Sequence, residues 1–171
     1  MNHFPIFDNI DNMGGNKSFM FIPEDEIVEI KSPVNFVIQE APVLLTGKTF
    51  LNGYASHKTL RLSEIPEQTA AGTHFNSKIS GFYPKIIPNV VSSFVKMKER
   101  MFVVAVLDNN KQLRLVGTKE QPLQFTFSLD TGANAATRNG ITFEFTGQSI
   151  LPSPFLASQV FIQAPIFNPV D

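Results

Sequence analysis

The chain contains no cysteine, no tryptophan and two tyrosines among its 171 residues. The absence of cysteine excludes a disulfide framework, a thiolate metal site and a cysteine nucleophile. Carbohydrate clefts rely on tryptophan and tyrosine, whose rings combine an apolar body with a polar edge. The 17 phenylalanines therefore favour packing over sugar stacking.

Charge is also scarce. Charged residues make up 17% of the chain, against about a quarter in ordinary globular domains. This deficit indicates that part of the surface is covered by something other than water. The net charge of −1 gives no basic excess that would attract nucleic acid or an anionic membrane.

Long hydrophobic runs are missing too. No stretch approaches the roughly 20 apolar residues that a membrane helix needs. The N-terminal stretch MNHFPIFDNIDNMGG has neither the basic start nor the continuous apolar core of a secretory signal. A length of 171 residues and a hydrophobic content of 43% fit one globular domain.

The clearest pattern that is present lies between residues 100 and 147. An unbroken, valine-rich apolar run at 101–107 is followed by three turn-forming residues, and a short returning strand is expected at 112–117. Apolar and polar residues then alternate at 123–129 and at 141–146. Period-two alternation is typical of a strand with one buried face, so this half predicts a four-stranded antiparallel meander.

The rest of the chain predicts shorter strands and two arms. Residues 1–16 suit an N-terminal arm, and Glu64–Thr73 suits an exposed polar loop. Residues 150–171 are apolar but interrupted by four prolines, which are barred from central strands and helix interiors. A C-terminal arm that wraps its own domain or docks on a neighbour is therefore expected.

One helix is predicted at about 89–100. Its apolar stripe at helical spacing consists of Val90, Val91, Phe94, Met97 and Met101. Asn89 is the expected N-cap, and Lys98 and Arg100 in the last turn suit the helix dipole. This helix is expected to cover one face of the sheet.

The residues offer no catalytic or cofactor signature. His3, His57 and His74 lack the spacing of metal ligands, and no GxSxG or phosphate-binding loop occurs. Asp130-Thr131-Gly132 matches the aspartic-protease triplet once, whereas that chemistry needs two carboxylates, so a turn is favoured. The acidic group Glu24, Asp25, Glu26 and Glu29 is interpreted as a solvated turn. We expect no enzyme activity, cofactor or metal, and an interaction or assembly role.

A family resemblance sharpens this expectation. The pieces that carry it are LLTGKTF at 44–50, KISGFYP at 78–84, KERMFVVAVLDNN at 98–110, QLRLVGTKEQPLQFTFSLDTG at 112–132 and RNGITFEFTGQSILPSPF at 138–155. In this order they resemble small structural tail or neck proteins of tailed phages and prophages of gut bacteria, including crAss-like phages. The resemblance covers roughly residues 44–155.

The resemblance implies a fold, a role and a set of contacts. The fold would be mainly β, an antiparallel β-sandwich or partial barrel similar to tail-tube proteins, with one helix outside. The protein would be made in the host cytoplasm and would form a ring in the virion tail or neck. Copies of itself and neighbouring tail, neck or portal-proximal proteins would be its partners, and DNA would pass without specific binding. The implied intersubunit anchors are Phe4, Phe7, Phe155, Phe161 and Phe167.

Two alternatives remain open. An extracellular β-sandwich that binds a ligand or carbohydrate would need an exposed aromatic cleft, for which Tyr54 and Tyr83 are the candidates. A hydrolase without a recognisable motif is the other.

Overall fold

A computed structural model describes residues 12–70, 72–134 and 137–157. Within them the chain forms a mainly β fold with a ten-stranded sheet, a separate two-stranded sheet and one α-helix. The large sheet curls into a half-barrel, which confirms the expected β-sandwich or partial barrel with one helix. Most of both predicted arms, residues 1–11 and 158–171, lies outside the described residues.

The element bounds are as follows. The strands are β1 (Asn16–Pro23), β2 (Ile27–Glu29), β3 (Val37–Ile38), β4 (Val43–Leu44), β5 (Leu51–Asn52), β6 (Arg61–Thr69), β7 (Gly72–Pro84), β8 (Met101–Asp108), β9 (Leu113–Val116), β10 (Leu123–Asp130), β11 (Gly140–Ser149) and β12 (Phe155–Leu156). The helix α1 spans Pro88–Lys98, and a single 3-10 turn covers Glu24–Glu26 between β1 and β2.

Strand β8 is the centre of the sheet. It pairs with β1 along one edge and with β9 and then β10 along the other. Phe102 lies opposite both Pro23 and Leu123, so β1 and β10 flank β8 on opposite sides. The predicted meander is therefore wrong in its pairing, because β10 returns to β8 instead of pairing with β9. From β10 the sheet continues through β11 and β7 to β6.

Both faces of β8 are buried, which explains why its sequence is continuously apolar instead of alternating. Phe102, Val104 and Val106 point into an inner core, where phenylalanines of β1, β10 and β11 meet. Val103 and Ala105 point into an outer core, which is covered by residues of the segment 22–50 and by Leu156. The two cores together fix β8 from both sides.

The helix α1 covers the inner core. It begins at Pro88, whose missing N–H and fixed φ suit the first helical position. The residue before it, Ile87, makes no side-chain capping bond, so the prediction of Asn89 as N-cap is wrong. Phe94 packs edge-on against the rings of Phe125 and Phe127, with ring centroids 5.2 and 5.6 Å apart.

The expected exposed loop at Glu64–Thr73 is also wrong, because β6 and β7 form an antiparallel hairpin there. Residues 65–69 are exposed although they lie in a strand, and this is why apolar alternation is lacking. Glu64 lies on the inner side of this hairpin, with its side chain 8% exposed.

Glu64 closes the curled sheet through a cluster that we call the seam, consisting of Glu64, Arg114 and Ser153. The Arg114 guanidinium donates to one carboxylate oxygen of Glu64. The Ser153 backbone N–H donates to the other at 2.8 Å, and the Ser153 hydroxyl donates to the same atom. Strands β6 and β9 are separated by four strands in the sheet order, so these bonds join distant parts of the sheet.

Removal of the Glu64 carboxylate should therefore destabilise the whole fold. A buried pair that loses one partner typically costs about 3–5 kcal/mol, and Arg114 is partly solvated, so we expect about 2–3 kcal/mol for Glu64→Ala. Denaturant unfolding measures this loss. The matched control is Glu67→Ala on the same strand, where the carboxylate is 57% exposed and the expected change is below about 1 kcal/mol. Equal losses for the two variants would contradict the structural role of the seam.

Candidate functional site

The structure describes one of the five predicted interface phenylalanines. Phe4, Phe7, Phe161 and Phe167 lie outside the described residues. Phe155 lies in β12, between β3 and β9, with 37% of its surface exposed. The guanidinium carbon of Arg114 lies 5.5 Å from the centre of its ring, at cation–π distance.

A strained turn lies beside Phe155. Val34 and Val37 exchange both of their backbone hydrogen bonds, at 2.9 and 3.0 Å. Asn35 and Phe36 between them have φ of 50° and 63°, the left-handed region. Such two-residue turns favour asparagine and glycine, whereas a bulky residue there is an outlier that costs about 1–2 kcal/mol.

We define the corner patch as Val34, Phe36 and Phe155. These apolar side chains are 63%, 49% and 37% exposed. They lie at one corner of the sheet, since the Phe155 N–H donates to the Phe36 carbonyl at 2.8 Å. Strain in combination with an exposed apolar ring is typical of recognition surfaces. Sequence reasoning does not identify Phe36, because a positive φ on a phenylalanine leaves no signal in the sequence.

An aromatic pocket of about 230 Å³ opens between α1 and the inner face of the sheet. It is lined by Phe19, Phe21, Asn52, Gly53, Tyr54, Tyr83, Val90, Ser93, Phe94, Met97, Phe125, Phe143 and Phe145. None of these lining residues carries a charge, and six are phenylalanines. The pocket therefore suits an apolar group.

The two tyrosines predicted for a ligand cleft meet at this pocket. Their rings pack edge-to-face with centroids 5.6 Å apart. Tyr54 is 58% exposed, and Tyr83 also packs on Phe94 of the helix at 6.1 Å. The structure thus brings the two residues together, which their separation of 29 positions in the sequence could not show.

The acidic group is an ion-pair site in addition to a turn. Arg100 follows the helix and donates to Asp25 at 2.6 Å and to Glu26 at 3.0 Å. Lys48 donates to Glu26 at 3.1 Å. Burial alone would raise the pKa of Glu26, but the hydrogen bonds and charges of Lys48 and Arg100 outweigh it and hold that pKa below its ordinary value.

Two further sequence patterns concern metal ligands and the aspartic-protease triplet. Across residues 12–70, 72–134 and 137–157, no three His, Cys, Asp or Glu residues form a group that could hold a metal ion. Asp130 accepts a hydrogen bond from the Gly132 N–H at 2.8 Å, the local turn expected for this triplet. No helix in this part of the chain is long and apolar enough to cross a membrane.

Comparison with known proteins gives no relative: no family model, no curated protein and no solved structure matches the chain.

The Glu26 ion pairs predict a pH dependence of stability. A carboxyl whose pKa is lowered in the folded state stabilises the fold above its unfolded pKa and loses that contribution as the pH falls through the folded pKa. We therefore expect the free energy of unfolding to fall as the pH drops below about 4.5, and to fall less steeply in Glu26→Gln. Denaturant unfolding at a series of pH values measures this. Lys48→Met should give an intermediate slope, and a Glu26→Gln profile parallel to that of the wild type would refute the assignment.

Proposed function

We propose that the chain is a non-enzymatic structural protein of a tailed-phage virion, which associates with copies of itself into a ring in the tail or neck. The observation that carries the proposal is the corner patch, where a strained phenylalanine exposes half of its surface beside Phe155. A monomer gains nothing from this arrangement, whereas a subunit interface gains a rigid apolar anchor.

The location of the corner patch supports a ring. A ring forms when one surface of a subunit binds a different surface of the next and the rotation closes. The corner patch lies at the edge of the sheet formed by β3 and β12, and Ala157, the last described residue, lies at the same edge. Neighbouring tail or neck proteins would stack on such a ring.

The charge of the chain supports passage of DNA without specific binding. Affinity for DNA grows with the number of phosphates that lysine and arginine neutralise. A net charge of −1 supplies no excess of such residues, so a lumen built from these subunits would let the duplex slide.

A second candidate function is an extracellular ligand-binding module, and the pairing of Tyr54 with Tyr83 at the pocket favours it. The uncharged, phenylalanine-rich lining argues for an apolar ligand over a sugar.

Phe36→Gly tests the assembly proposal because it should change stability and association in opposite directions. Glycine adopts positive φ without strain, so we expect the free energy of unfolding to stay level or to rise by up to about 1 kcal/mol. Association should weaken severalfold, since the phenyl group of residue 36 is lost from the corner patch. Denaturant unfolding and sedimentation velocity measure the two effects.

Asn35→Gly is the matched control. It changes the other left-handed residue of the same turn without removing apolar surface, so association should match that of the wild type. If Phe36→Gly associates as strongly as Asn35→Gly, the corner patch is not the interface and the proposal loses its main support.

Tyr54→Ala and Tyr83→Ala test the second candidate. Glycan-array or fluorescent apolar-probe binding that the wild type shows and both variants lose would promote the ligand-binding module. Under the assembly proposal we expect no glycan binding by any of the three proteins.

A further inference from the structure

The aromatic pocket has the size and chemistry of a site for one aromatic ring. A cavity of about 150 Å³ lined by leucine, isoleucine and phenylalanine is known to take benzene. The pocket between α1 and the sheet measures about 230 Å³ and its lining is similarly apolar. A phenylalanine side chain would therefore fill it and would meet rings on several sides at favourable distances.

The helix α1 covers the pocket, and its packing against the sheet leaves room for an additional group. None of the residues of α1 is fully buried, although Val90, Phe94 and Met97 face the inner core. An inserted ring would bury more of this helix face and so stabilise α1 against the sheet.

The end of the chain supplies a group of matching chemistry. Residues 158–171 read SQVFIQAPIFNPVD and carry no charge before the terminal aspartate. They contain two phenylalanines, Phe161 and Phe167. Fully extended, fourteen residues span about 46–50 Å, which is enough to reach a pocket on an adjacent molecule.

We propose that the aromatic pocket binds a phenylalanine from residues 158–171 of a neighbouring copy. This inference rests on the proposed self-assembly and specifies which surfaces of two subunits meet. The C-terminal segment of one subunit would then bind in the aromatic pocket of the next subunit.

The donor segment and the acceptor pocket belong to different surfaces of the subunit. The Ala157 N–H donates to the Ile38 carbonyl at 3.0 Å, so the segment leaves the domain beside β3 and β12. The pocket lies instead between α1 and the inner face of the sheet, where residues of β1, β7, β10 and β11 line it. Because these two surfaces differ, a contact between them in two copies is the head-to-tail contact that a ring needs.

Introduced cysteines test this contact directly, because the native chain has none. One full-length protein carries Ser93→Cys at the pocket, and a second, distinguished by a larger tag, carries Gln163→Cys or Asn168→Cys. A disulfide forms only where the two Cα atoms come within about 7 Å. Mixed, oxidised samples are resolved by non-reducing electrophoresis.

Ser92→Cys is the matched control. Ser92 and Ser93 are adjacent, exposed serines on α1, but Ser93 lines the pocket and Ser92 does not. We expect the mixed disulfide to form severalfold more with Ser93→Cys than with Ser92→Cys. Addition of Phe161→Ser and Phe167→Ser to the tail partner should remove this preference.

Other outcomes overturn the inference. Equal yields for Ser92→Cys and Ser93→Cys would show that the tail does not dock in the pocket. A disulfide found only within single chains that carry both cysteines would show that each tail fills its own pocket. Electron microscopy of the same samples separates the two proposals. If ring-shaped assemblies form but the two cysteine variants give equal yields of mixed disulfide, only the pocket contact is refuted. If the protein is a monomer at every concentration, the proposed assembly is refuted as well.

Discussion

The architecture depends on one buried carboxylate. Glu64 accepts hydrogen bonds from Arg114 and Ser153, and it thereby ties the hairpin of β6 and β7 to β9 and to the segment before β12, which are distant from it in the sheet order. Without this contact the strand pairings and the two cores would remain, but no carboxylate would bond β6 to β9 and to the segment before β12. The desolvation of a carboxylate is costly, so a buried one persists where a cation and N–H or O–H donors compensate it. The seam meets this condition with a guanidinium, a backbone N–H and a hydroxyl.

The seam also links the fold to the surfaces that we assign to assembly. Ser153 lies two residues before Phe155, so the bonds that close the sheet also fix the approach to β12. Arg114 contributes to both the seam and the corner patch, since it donates a hydrogen bond to Glu64 and lies against the ring of Phe155. The corner patch is consequently presented from a rigid base, as a hot-spot anchor requires. The aromatic pocket is a separate surface on the inner face of the sheet, under a helix none of whose residues is fully buried.

Much of the fold could be predicted because its signals are local. The alternation at 123–129 and 141–146 marks strands with one buried face, and the helical stripe around Phe94 marks α1. The features that could not be predicted depend on contacts between residues far apart in the sequence or on backbone geometry. Glu64 looked like a loop residue because Arg114, which pairs with it, is 50 positions away. Phe36 could not be identified because no sequence pattern reports a positive φ on phenylalanine. The proximity of Tyr54 to Tyr83 arises only from the tertiary fold.

We propose that this chain is a subunit that associates with itself into a closed ring. This association is tested most directly by the mass of the purified wild-type protein, measured by light scattering over a range of concentrations, beside negative-stain images of the same samples. We expect a shift with concentration from the 19.0 kDa monomer to one larger species of fixed mass, seen as rings. A monomer that persists at the highest concentration, with no ring in any image, would refute ring assembly and favour the ligand-binding module.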